Sequence, residues 1–117
     1  MKLATLADKI GAKTLTPGRG VSVYLEQVYA GYRISDLLNA ANEAVLLVSN
    51  LASSHLIRVA ELMDVPGICL VNGQRPDPVM IETASAHGTL LMVSPVGLFE
   101  TCGRLYDSLA EDKRATP

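Results

Sequence analysis

The stretch "ICLVNGQRPDPVMIETASAHGTLLMVSP", residues 68–95, holds one complete unit of the fold and the start of the next. It opens on an apolar run at 68–71, turns at Asn72 and Gly73, and resumes at Asp77 with helical character. Asp77 suits an N-cap, because its carboxylate accepts from an amide left over in the first helical turn. Pro78 follows at the first helical position, where its missing N–H costs nothing. Gly88 supplies the left-handed residue that closes a helix. A second apolar run at 90–93 completes the unit.

The same pattern extends in both directions. "VLLVSN" (45–50), "ICLVNG" (68–73) and "LLMVSP" (90–95) start 23 and 22 residues apart. Amphipathic segments follow each, at 55–64, 77–87 and 96–109. Apolar strands that do not alternate, separated by helices, require a sheet covered on both faces, and such sheets are parallel. A solenoid is the rival explanation of the period, but no recurrent leucine-rich pattern accompanies it. Ser53 or Ser54 is placed to cap the first helix, and Ser94 with Pro95 to start the third. Upstream, "KLATLADKIG" reads as a short helix ended by Gly11 and "AKTLT" as a short strand. A loop follows at Pro17, Gly18 and Gly20. Residues 27–31 read as a further strand, and Ser35 as the cap of a helix through Leu37 and Ala41. The expectation is a three-layer α/β domain over 1–109, with a mostly parallel sheet of about five strands and helices on both faces. Periodicity is lost near 110, so residues 110–117 are expected to fray.

Composition narrows the function. The chain has 117 residues and a net charge of −2, and its basic residues form no stripe, so nucleic acid is not the expected partner. No apolar run is long enough to cross a bilayer, and Asp8 and Lys9 interrupt the start that a signal peptide would need. We expect a cytoplasmic protein. Cys69 and Cys102 stand alone, without a C-x-x-C pair or a ligand cluster, and read as free buried thiols. No metal or cofactor is expected. Met63, Met80 and Met92 read as core.

In a parallel sheet with crossovers of one hand, the loops after all three strands gather at one edge. That edge would collect Asn50, Ser54 and His55, then Asn72, Gly73 and Arg75, then Ser94. Helix starts and an arginine there suit a small anion. His55 beside Ser53 and Ser54 is the best acid–base candidate, though a histidine in a first helical turn is more often an exposed or capping residue. His87, next to Gly88, complements a helix C-terminus. Arg75 either holds an anion or pairs with Asp77. No glycine-rich phosphate loop and no nucleophile elbow is present, so no residue is assigned a catalytic role.

Four stretches resemble the DRTGG domain family: "LATLADKIGAKTLT" (3–16), "AGYRISDLL" (30–38), "LVNGQRPDPVMIETASAHGTLLMVSP" (70–95) and "FETCGRLY" (99–106). The name-giving residues differ. "SNLASSH" lacks an Asp-Arg pair, and Val71-Asn72-Gly73 stands where Thr-Gly-Gly would. The resemblance implies an α/β domain like the N-terminal domain of HPr kinase/phosphorylase, a regulatory or ligand-binding role, and a homodimer. Accessory work for a redox enzyme such as an iron-only hydrogenase system is a second reading, because some members of the family are linked to such systems. A small phosphotransfer or hydrolytic enzyme is a third.

Overall fold

A computed structural model describes residues 1–16 and 25–115. The loop expected at Pro17, Gly18 and Gly20 lies outside the described residues. Ten elements follow one another: α1 (Leu3–Lys9), β1 (Lys13–Thr16), β2 (Gln27–Ala30), α2 (Ile34–Ala40), β3 (Val45–Ser49), α3 (Ser54–Met63), β4 (Gly67–Leu70), α4 (Pro78–His87), β5 (Leu90–Val93) and α5 (Leu98–Ala115). The five strands form one sheet in the order β1-β5-β4-β3-β2. Strands β2 to β5 are parallel to their neighbours, and β1 joins β5 antiparallel. The three apolar runs of the sequence are therefore adjacent parallel strands, and a solenoid is excluded.

Strand order rises steadily from β2 to β5, so crossovers of one hand put α2, α3 and α4 on one face. There Leu37, Leu56, Ile57, Ala60 and Met80 pack on Leu47, Ile68, Leu70 and Leu91. Leu3, Leu6, Ile10 and Leu105, from α1 and α5, pack on Leu46, Val48, Cys69 and Met92 of the other face. Alternate residues of each strand feed opposite cores. This is why the runs are apolar throughout rather than every second residue.

Asp77 caps α4 as its position suggests, accepting from the Met80 amide at 3.1 Å, and Gly88 closes it at φ 85°. Other expected boundaries shift. Arg33, extended at φ −104°, precedes α2, and Ser35 lies inside the helix rather than capping it. Ser53 occupies the N-cap position of α3 without a side-chain cap bond. Ser94 and Pro95 do not start α5, which begins at Leu98. The carbonyls of Ser94 and Val96 instead accept from the Gly73 and Asn72 amides, which holds the intervening chain as a turn. Met80 and Met92 are core, but Met63, in the last turn of α3, is 37% exposed. Residues 110–115 are helical where fraying was expected, and Asp112 holds the amino terminus at 2.8 Å.

Candidate functional site

Strands β4 and β5 are neighbours, yet β4 sends its chain to α4 on one face and β5 sends its chain to α5 on the other. Such a divergence ordinarily opens a crevice at the carboxyl ends of the strands. Here the crevice is laced shut. The Asn72 amide donates to the Val96 carbonyl at 2.7 Å and the Gly73 amide to the Ser94 carbonyl at 2.8 Å. Asn72 and Gly73 both sit at φ 60°, a pair of left-handed residues that swings the chain sharply enough for both bonds to form. Their amides are thus committed to the protein and do not face a ligand.

The remaining expected residues divide into groups. Ser94 is fully buried, and its hydroxyl shares a 2.8 Å hydrogen bond with that of Thr101, also fully buried. It is part of the structure of the turn. Asn50, Ser54 and His55 are exposed on the β3–α3 loop and the start of α3. The Asn50 carbonyl accepts from Gln74 Nε2 at 2.9 Å, which ties that loop to the one after β4. Gly73 and Arg75 fall elsewhere. With Gln74 and Pro76 they form one wall of a cleft of about 500 Å³ over the β5–β1 border.

Strand β1 makes the opposite wall. Antiparallel pairing sets Lys13 against Val93, so the start of β1 arrives at the same edge as the loop carrying Arg75. Thr16 anchors the far end of the strand. Its buried hydroxyl donates to the Thr89 carbonyl at 2.7 Å and accepts from the Leu91 amide at 3.0 Å, at a register shift in the pairing. Leu15, Ile81, Val93 and Pro95 complete the apolar lining, with Gly11 at the rim.

Among the described residues two charged side chains line this cleft, Lys13 and Arg75, and both are cationic. Among the described residues neither is paired with a carboxylate. Asp77 is turned to the α4 amide, so the expected alternative of an Arg75–Asp77 pair is not realised. An exposed cation contributes about 1 kcal/mol or less to an ion contact. A ligand held here would therefore use the apolar floor as well as the charges. Volumes of roughly 300–1,000 Å³ are usual for small-molecule sites. Of the residues expected from the sequence, this cleft holds Gly73 and Arg75; its Lys13, Leu15 and Ile81 were not among them. Hints were present in the lone Lys beginning a short strand and in Ile81 three residues after the α4 start.

The thiols lie away from this cleft, on the α1–α5 face. Burial pushes the Cys69 thiol up to about 12, against the lowering effect of a backbone hydrogen bond from Ser94. Burial also raises Cys102. Both are free. Among the described residues no group of three or more His, Cys, Asp or Glu is arranged to hold a metal ion. No described helix is long and apolar enough to cross a membrane.

No protein-family profile matches the sequence, and no curated protein matches it. The fold is similar to a solved structure of the CBS and DRTGG domains of the regulatory region of Clostridium perfringens pyrophosphatase, complexed with its activator diadenosine tetraphosphate. The TM-score is 0.77 at 15% identity, over 92% of this chain and 46% of that one. At that identity the likeness is one of fold, and this chain spans less than half of the other. It agrees with the DRTGG resemblance at the level of architecture.

Proposed function

We propose that the protein is a non-catalytic regulatory module, and that it binds a small ligand carrying both an anionic group and an apolar or aromatic body. The observation that carries this reading is the placement of Lys13 and Arg75 across an apolar cleft with no carboxylate among its described lining residues. The cations attract and orient the anion, while Leu15, Ile81, Val93 and the two prolines take up the apolar part. A nucleoside monophosphate has this chemistry. The similar regulatory region is described with a nucleotide activator, which supports the class of ligand but not the place where it binds. A reducing, cytoplasmic setting suits two unpaired thiols.

The enzyme reading has no comparable support. Cleft residues are two exposed cations, a glutamine and apolar groups, and none is positioned as a base beside a nucleophile. The accessory reading, for a redox enzyme, gains no metal-ligand cluster from the described residues.

Titration calorimetry with adenosine monophosphate, adenosine and inorganic phosphate tests the reading. The monophosphate is expected to bind more tightly than either fragment. Lys13→Ala and Arg75→Ala each should weaken it about fivefold, the equivalent of about 1 kcal/mol. Arg58→Ala, which removes an exposed cation on α3, should leave it unchanged. Equal losses from all three variants, or binding that ignores the phosphate, would overturn it.

A further inference from the structure

Helix α5 carries more apolar surface than the fold uses. One stripe, with Thr101, Leu105 and Ser108, is buried against the sheet. A second stripe runs beside it at residues 99, 103, 106, 110 and 113, spaced four and three apart, which keeps them on one helical face. On it Phe99 is 93% exposed and Tyr106 is 74% exposed. Beside that stripe lies a groove of about 420 Å³, floored by Val28 and Ala30 of the edge strand β2 and walled by Cys102, Tyr106, Leu109 and Ala110. Gly103 lies mid-helix on this stripe, where glycine weakens a helix. A methyl group added there would meet nothing within 4 Å, so packing among the described residues does not account for the glycine.

We infer that this face binds a second copy of the chain, with the two α5 helices antiparallel across a twofold axis near Tyr106 and Asp107. The residue pattern is self-complementary in that arrangement. Gly103 of one copy faces Ala110 of the other, so two small residues on each side allow the helices to approach closely. Glu100, near the start of α5 and paired with Arg104 of its own helix at 2.8 Å, comes beside Lys113 and Arg114 of the second copy, near its end. A parallel arrangement would instead set Glu100 on Glu100 and Lys113 on Lys113, and like charges repel. Tyr106 lies near the axis, and each copy's exposed aromatics cover the other's groove. The charge pattern, the unexplained glycine and the apolar groove all fit a second copy.

Sedimentation equilibrium and disulfide trapping on the full chain test the inference. The protein should be a dimer. Gly103→Leu should raise the dissociation constant at least tenfold while leaving the helical circular dichroism in place. In a Cys102→Ser background, with Cys69 buried, Tyr106→Cys should oxidise to a covalent dimer. Phe99→Cys should not, because antiparallel helices hold the two copies of residue 99 about 22 Å apart along the axis. A monomer at every concentration, a dimer unaffected by Gly103→Leu, or equal trapping at 99 and 106 would each overturn it. If Gly103→Leu fails to fold, the trapping pair still decides.

Discussion

Thr16→Val removes one hydroxyl and keeps the side-chain shape, at the point where β1 is fastened to the sheet. The hydroxyl bridges the Thr89 carbonyl at 2.7 Å and the Leu91 amide at 3.0 Å, and Thr16 is only 3% exposed. Water cannot readily replace it there, so the substitution leaves one buried acceptor and one buried donor unpaired. Each such group costs roughly 1–3 kcal/mol, which gives about 2–6 kcal/mol in total. Folded domains hold about 5–15 kcal/mol, so the loss is a large share. Urea denaturation followed by far-ultraviolet circular dichroism measures it. Thr14→Val, at an exposed position of the same strand, serves as the control and should stay within about 0.5 kcal/mol of the parent. Because β1 carries Lys13 and Leu15, Thr16→Val should also weaken ligand binding in the cleft. A change below about 0.5 kcal/mol, or an equal one in Thr14→Val, would refute the reasoning that Thr16 fastens the strand.

Other expectations follow from single contacts. Gly67→Ala would place a methyl group 2.8 Å from Leu3 Cδ2 and 3.3 Å from Leu46 Cδ1, so it should cost about 1–3 kcal/mol. Adding Leu3→Val should recover part of that in a double-mutant cycle. Asp77→Ala removes the α4 cap and should cost about 1 kcal/mol, read as a lowered thermal midpoint. Cys69 titrates near 12 in the folded chain and near 9.0 unfolded, so the folded state holds the proton more tightly. Its contribution is complete below pH 9 and is lost as pH rises from about 9 to 12, at up to about 1.4 kcal/mol per pH unit. Cys69→Ala should flatten that alkaline slope in a denaturation series.

The parts of the fold read correctly were those set by burial or by local chemistry. Strands β3, β4 and β5 are covered on both faces, so their apolar runs are unbroken and their type is plain. Asp77-Pro78 and Gly88 fix α4 through bonds that span at most four residues. Ser94-Pro95 has the same local look, but long-range bonds from Asn72 and Gly73 claim the carbonyls of that segment, and α5 starts later. Helix α5 continues to Ala115, beyond the last apolar position of its repeat at Leu109, and Asp112 on that extension is 2.8 Å from the Met1 nitrogen, a contact between residues 111 apart in sequence. The candidate site shows the same limit. Arg75 was visible in the sequence as a cation in the loop after an apolar strand. Lys13 was not, because only the antiparallel pairing of β1 with β5 brings residue 13 against residue 93. Nor does the sequence say that the Asn72 and Gly73 amides are used within the protein.

The most direct test of the proposed cleft is an amide chemical-shift titration of the isotope-labelled protein with adenosine monophosphate. Shifts concentrated at residues 11–15, 73–76 and 81, and much reduced in Arg75→Ala, are the expected result. Shifts centred instead on Asn50, Ser54 and His55, or a spectrum that does not respond to the ligand, would contradict the placement of an anion-binding site between β1 and the loop after β4.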